Sequence, residues 1–487
     1  MTAVSSPTTF VDLAEPAVGA DRAVAACGEA VRAAKAAGAD EAEAFLSGRA
    51  GGYTRFAVDR VHQPQDVHER QLMVRAVVDG RSARVATTDL AGAADAGRRA
   101  TGRAAALARA AGPLPVLPAP AAAGQVPTLG PDALWDEGTA AWGTSERVDA
   151  VRGLMSASAQ AGGEAFGMLG RAVTELAVVD HEGVERYAAA TEAFGTFTVR
   201  IDDGTSHWVD LDRRLDVLDL DAVVARTVEE AGRARGRVDL ADGTYDVVLG
   251  PLATGELLEG FHAYGFTGDA VADGVGAVAR RRGERVAPET VDIADDPRAV
   301  RGLPFPFDPE GTDSVRVPLL DHGVVSDAVT DRASAAKAGL ALTGHAHIAR
   351  EETPHPAPMS LTMAPGTASV EELVGGVERG VYVQRLWYLR VVDPAATTLT
   401  GGSRDACFLI EDGRLTTPVR PARFTESVFG VLSRVDAIGS DVLAQPLANV
   451  WNGAVSAPAV RVRGFRFGSA SSSTSPTAPQ TPEEETA

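Results

Sequence analysis

Apolar and polar positions change period along the chain, and each change marks an element. Residues 21–37 set alanine-rich apolar positions at helical spacing and stop at Gly38, which predicts an amphipathic helix. Residues 41–63 alternate, which predicts two strands around Gly51-Gly52. In residues 71–88, Leu72, Val74, Ala76 and Val78 alternate up to a turn at Asp79-Gly80. Ala83, Val85 and Thr87 then resume the alternation, the pattern of a hairpin. Residues 90–110 return to helical spacing, and a Pro-rich stretch at 112–127 reads as a semi-rigid surface crossing. The succession then repeats. A helix is predicted over 145–160, strands over 167–187 turning at His181-Glu182-Gly183, a hairpin over 194–209 turning at Asp202-Asp203-Gly204, and a helix over 220–235.

The second half has a different rhythm. Residues 246–249 are a short apolar run ended by Gly250-Pro251, which reads as a buried strand stopped by a turn. Over 253–266, Leu257, Leu258, Phe261 and Tyr264 fall at helical spacing, so a short helix leaves the end of that strand. Strands dominate thereafter, notably over 386–392, 406–410 and 460–467, with a turn at Asp412-Gly413 and a late helix over 426–437. The fold class is α+β. A flexible arm (1–18) precedes an N-terminal α/β layer domain (19–240), in which helix, sheet, hairpin and helix appear twice. A C-terminal β-rich domain (241–467) carries the helix at 253–266. The Ser/Thr/Pro-rich acidic tail (468–487) buries too little apolar surface to order itself.

Composition narrows the partners. A net charge of −20 on 487 residues opposes a phosphate backbone and an anionic bilayer, so neither nucleic acid nor membrane is expected. Aromatics are only 5% of the chain, so the cores must be built largely from Val, Leu and Ala. Lysine is confined to Lys35 and Lys337, the mark of a GC-rich coding bias. Cys27 and Cys407 lie far apart in unlike contexts and read as buried thiols of a reducing cytoplasm. The first residues have neither the basic nor the apolar region of a signal peptide.

The segment 246–269, DVVLGPLATGELLEGFHAYGFTGD, resembles the zinc-site segment of the TldD/PmbA metallopeptidase family. Val248, Gly250-Pro251, Gly265, Gly268 and Asp269 fit that frame. Later pieces follow the family in order: GLPFPFDPEG at 302–311, Thr343-Gly344 to Arg350, Pro365-Gly366, Glu371-Glu372-Leu373, Thr400-Gly401 and Pro418-Val419. Catalytic members carry HExxxH in the segment. The resemblance puts Glu259 at the first ligand His, Gly260 at the catalytic Glu and Tyr264 at the second ligand His. A water-activating zinc site needs neutral imidazoles and a carboxylate base, and this set supplies neither. The late Cys ligand of the family has no counterpart in 447–460, and Cys407 lies on an upstream strand.

The resemblance is therefore to the metal-free TldE/PmbA-like branch. It implies no catalytic residue, metal or cofactor in this chain, and zinc in an HExxxH-bearing TldD-like partner subunit. The two subunits would share a chamber for unfolded or modified peptides. Glu259, His262, Tyr264, His345, His347 and Arg350 are the residues expected to line it. Actinobacterial members of the family also occur in peptide and natural-product maturation. Two other readings stay open. One is a hydrolase with an atypical metal set, drawn from Glu259 and His262 at i, i+3 and from His345 and His347 at i, i+2. The other is a metal-independent peptide-binding protein. Gly274-Val275-Gly276 lacks the third glycine of a dinucleotide fingerprint, and 210–221 lacks the glycine and final glutamate of a calcium loop.

Overall fold

The computed structural model describes residues 14–110, 129, 131–348, 354–447 and 453–468. Most of the expected arm, the Pro-rich crossing, Arg350 and the tail after Gly468 lie outside the described residues.

The N-terminal α/β domain has two halves. The first comprises α1 (Ala20–Ala36), β1 (Glu41–Val58), β2 (Arg60–Val78), β3 (Arg81–Thr87) and α2 (Ala93–Ala110). The second comprises α3 (Glu137–Ala141), α4 (Thr144–Gln160), β4 (Glu164–Asp180), β5 (Glu185–Ile201), β6 (Gly204–Asp212) and α5 (Leu220–Arg233). The strands run antiparallel in the order β3-β2-β1-β4-β5-β6, so the halves meet at β1 and β4. The repeated sequence pattern is thus repeated in space.

Strand alternation divides this sheet into two faces. Ala42, Ala44 and Leu46 of β1 and Leu72, Val74 and Ala76 of β2 are buried beneath α1 and α2. Phe45, Met73 and Val178 face the other way and receive Phe307 from the C-terminal domain. Full burial of a Leu or Phe side chain contributes about 1.5–3 kcal/mol, so both faces hold the sheet in place.

One expectation fails here. Residues 41–63 are not two strands around Gly51-Gly52; β1 runs through both glycines and turns only after Val58, whose φ is 62°. Side chains occupy the glycines' missing volume. A Cβ on Gly51 would lie 2.7 Å from Tyr53 Oη, and one on Gly52 would lie 2.4 Å from the Arg147 guanidinium.

The C-terminal domain is β-rich. Its elements are β7 (Gly243–Leu249), α6 (Pro251–Leu258), α7 (Gly268–Ala272), α8 (Gly276–Arg281), β8 (Ile293–Asp295), β9 (Val317–Asp321), β10 (Val324–Val325), α9 (Arg332–Ala338), β11 (Ala346–His347), β12 (His355–Pro356), β13 (Ser360–Met363) and α10 (Val370–Gly375). There follow β14 (Arg379–Asp393), β15 (Thr398–Glu411), β16 (Arg414–Pro418), β17 (Arg423–Ser427), α11 (Val428–Leu432), β18 (Val435–Pro446) and β19 (Ala454–Phe467). β7 pairs with both β14 and β19, and β17 joins β15 to β19, so these strands close a ring. β13, β8, β9 and β10 extend the sheet from the start of β19, while β11 and β12 form a separate two-stranded sheet among the described residues.

Two helices differ from expectation. The late helix over 426–437 is instead the end of β17, the single turn of α11 and the start of β18. Val428, Phe429, Val431, Leu432 and Val435 are all buried, and such a continuous apolar run satisfies either period. The helix at 253–266 begins earlier, at Pro251, whose missing N–H is harmless in a first turn. It ends at Leu258 and tightens into a 3-10 turn over Glu259–Ala263.

Candidate functional site

β7 sits between β14 and β19 and delivers α6 to the rim of the ring. Gly250 N donates to the Val383 carbonyl at 2.9 Å, fixing the strand end from which the helix departs. Leu257, Leu258 and Phe261 are fully buried. Phe261 stacks on Phe266, with centroids 4.9 Å apart, and both rings meet Phe429 edge-on. Tyr264 joins the cluster edge-on to Phe261 at 6.3 Å and is itself 0% exposed. Its ring lies over Gly260, so that a Cβ there would be 2.6 Å from Tyr264 Oη. Burial pushes the phenol's pKa up, and Oη has no hydrogen-bond partner among the described residues.

Glu259 and His262 stand on the 3-10 turn of this segment, and β12, the partner strand of His347, packs against α7 at its end. Glu259 is half-buried and His262 is exposed. His262 Nδ1 contacts the Glu259 backbone carbonyl, not its carboxylate. His345 is buried and committed: Nε2 lies 2.9 Å from Asp295 Oδ1, and Nδ1 lies 2.8 Å from the Thr343 carbonyl. His347 pairs across β11 and β12 with His355, ring to ring at 5.3 Å. Among the described residues none of these side chains falls in a cluster of three or more potential metal ligands; Asp292, Asp321 and His322, mostly at the surface, form one elsewhere. Arg350 lies outside the described residues.

Sequence reasoning missed two charged sites. Glu256, one turn before Glu259, is pushed up to about 8 by burial, against the opposing pull of Arg385. It accepts a hydrogen bond from Leu386 N. The second site lies between the domains, where a charged row crosses four strands: Asp180 of β4 opposite Glu43 of β1, Glu43 opposite Arg75 of β2, and Arg75 opposite Arg84 of β3. The turn Asp308–Thr312 covers the row. Asp308 Oδ1 accepts Glu310 N and Thr312 N, each at 3.0 Å, and Asp308 Oδ2 accepts Ala346 N at 2.9 Å. Burial raises the pKa of both Asp308 and Glu310. A signal existed in β2. Met73 and Val77 are apolar opposite Leu72 and Val74, so both faces must be covered and Arg75 must be buried.

Solved structures share this architecture. TldE from Thermococcus kodakarensis has a TM-score of 0.78 at 19% identity, covering 91% of this chain and 100% of that one. A putative modulator of DNA gyrase from Thermotoga maritima has a TM-score of 0.77 at 18% identity, covering 91% and 99%. At such identity the likeness is one of fold. Residues 242–469 match the PmbA/TldA metallopeptidase C-terminal domain. The C-terminal half of this chain belongs to the TldD/PmbA family.

Two curated relatives match the chain at low identity. A metalloprotease of Methanothermobacter thermautotrophicus is 27% identical over 223 residues, 46% of this chain and 49% of its own. The metalloprotease PmbA of Escherichia coli O157:H7 is 24% identical over 185 residues, 37% and 38% of the two chains. The chain spans about half the length of the curated relatives it matches. Against the zinc expected of a TldD/PmbA catalytic member, the motif residues do not fit. Glu259 offers one carboxylate, Gly260 no side chain, and Tyr264 a phenol sealed among aromatic rings.

Proposed function

We propose that this chain is a non-catalytic partner subunit of a TldD/TldE-type zinc peptidase acting on unfolded or modified peptides. The observation that carries this reading is the ring of Tyr264 lying over Gly260. The position of the family's catalytic carboxylate is taken by aromatic packing, while the strand and helix that would present it are kept. An HExxxH-bearing subunit supplies the metal chemistry, and this chain contributes walls to a shared chamber. The TldE-like fold supports the reading.

Co-expression with an HExxxH-bearing family member from the same organism tests it. A stable 1:1 complex is expected, with peptidase activity that needs both chains and disappears when the partner's motif is changed. Hydrolysis by this chain alone, lost on Glu259→Ala or His262→Ala, would establish the atypical-metal hydrolase instead. Failure to bind any such partner would leave a metal-independent peptide-binding protein.

A further inference from the structure

The end of the β14–β15 hairpin carries an aromatic surface that no other described element covers. Of the ten exposed large apolar side chains among the described residues, Trp387, Tyr388, Val391 and Val392 fall within six consecutive positions, and they include both aromatic rings. A bulge turns them out. The register skips between Trp387 and Arg390, and Leu389 turns in over Gly401, where a Cβ would stand 2.4 Å from Leu389 Cδ2. Tyr388 is left facing solvent, 65% exposed, at a left-handed φ of 56° that an aromatic residue rarely adopts.

Arginine surrounds these rings. The guanidinium groups of Arg385 and Arg404, directly opposite each other, lie 4.6 and 4.8 Å from the Trp387 ring centroid, and that of Arg390 lies 4.4 Å from the centroid of Tyr388. Acidic neighbours are few. Asp405 is shared, 3.6 Å from Arg385 and 3.9 Å from Arg404, and Glu256 lies 3.5 Å from Arg385. Arg390 and the exposed Arg423 form no ion pair among the described residues. Trp387, Gly402 and Arg423 stand opposite one another on β14, β15 and β17, so their side chains share one face. A Cβ on Gly402 would meet only the Ala422 carbonyl, at 3.6 Å, which leaves an open notch between the side chains of Trp387 and Arg423.

The same row continues to the last described residue: Gly468 N donates to the Arg423 carbonyl at 2.8 Å. The tail after Gly468 therefore starts three strand spacings, about 14 Å, from Trp387. Its sequence matches the surface. Pro476, Pro479 and Pro482 recur at every third residue, the period of a polyproline II helix, which aligns them on one side, and Glu483, Glu484 and Glu485 follow at once. Residues 469–475 can span about 23 Å, so the prolines reach the notch. We propose that this segment docks on its own chain, with the prolines on Trp387 and Tyr388 and the glutamates among Arg390, Arg404 and Arg423. A proline-rich segment arrives already extended, and the tether supplies an effective concentration of about millimolar, so weak exposed ion pairs suffice. The docking needs no metal and no partner subunit.

Acrylamide quenching of the full chain at low salt tests the proposal, with the signal of Trp387 taken as the difference between the parent and Trp387→Phe. Glu483→Gln, Glu484→Gln and Glu485→Gln together should raise the quenching of Trp387 about twofold, and so should Pro476→Ala, Pro479→Ala and Pro482→Ala together. Arg423→Gln, which removes no group stacked on Trp387, should raise it less, and the exposed Arg98→Gln should leave it unchanged. High salt should uncover Trp387 in the parent and change the glutamine variant little. Circular dichroism should show the variants folded. Equal quenching in the parent and in both tail variants would overturn the docking. A response to one tail set alone would overturn the contact assigned to the other. Shielding that grows with protein concentration would mean the tail of a second copy and would overturn docking within one chain.

Discussion

Around Gly260 aromatic rings close the space beside a helix; around Arg75 and Arg84 charged side chains meet in one row across the strands, and Arg75 Nε finds no acceptor among the described residues. Both regions lie where family motifs occur, the zinc segment and the segment ending Asp308-Pro309-Glu310-Gly311. In the first, Phe261, Tyr264, Phe266 and Phe429 satisfy one another, and a ligand could enter only by unpacking them. In the second, the rigid sheet holds Arg75 beside Arg84 whatever the cost of their repulsion, because the cross-strand register fixes both. A retained motif frame therefore does not by itself mark an open site.

The sharpest way to break this contrast is Gly260→Glu. Its Cβ would stand 2.6 Å from Tyr264 Oη, and its carboxylate would enter an aromatic cluster. Overpacking and burial of an unpaired charge together should cost about 4 kcal/mol or more. Urea unfolding of the variant should show that loss, or the variant should fail to fold. Stability equal to the parent's would mean that the space beside α6 is open after all.

The sequence made one of these regions half-legible and the other hardly at all. The identities at Glu259, Gly260 and Tyr264 are enough to question the zinc site. The folding of the Tyr264 ring over Gly260 follows only from the packing of Phe261, Phe266 and Phe429. Turns with local chemistry, such as Asp79-Gly80 and Asp202-Asp203-Gly204, were readable because their causes are neighbours in the chain. Gly51-Gly52 were not, because the reason for them includes Arg147, which arrives from another helix. The row from Asp180 to Arg84 requires β1 to pair with β4 across more than a hundred positions, and alternation within a strand carries no such information.

Glu256, one turn before the aromatic cluster, carries a carboxyl whose ionised form burial disfavours. Its carboxyl is raised from an ordinary 4.5 to about 8, chiefly by burial. The folded state thus binds its proton more tightly than the unfolded chain does. The stability this provides is complete below the ordinary carboxyl range and is lost as pH rises from about 4.5 through about 8. Denaturant unfolding at about pH 5 and about pH 9 should show the parent losing on the order of 2–3 kcal/mol more than Glu256→Gln does. The amide can still accept from Leu386 N, so the variant should fold. Parallel pH profiles would mean that Arg385, 3.5 Å away, keeps Glu256 ionised throughout.

The smallest effect discriminates most finely. Tyr264 Oη is buried without a hydrogen-bond partner, so its hydroxyl loses solvation on folding and regains nothing among the described residues. Tyr264→Phe keeps the ring over Gly260 and its edge contact with Phe261, removing only that burden. Stability should stay level or rise by about 1 kcal/mol. Cooperation with an HExxxH-bearing partner should not change, since the hydroxyl faces the packed helix and not a chamber. A fall of more than about 1 kcal/mol would reveal a hydrogen bond from Oη that matters to folding. Unchanged stability with altered peptide turnover in the complex would place Tyr264 at the chamber wall, and the two regions would then differ in degree only.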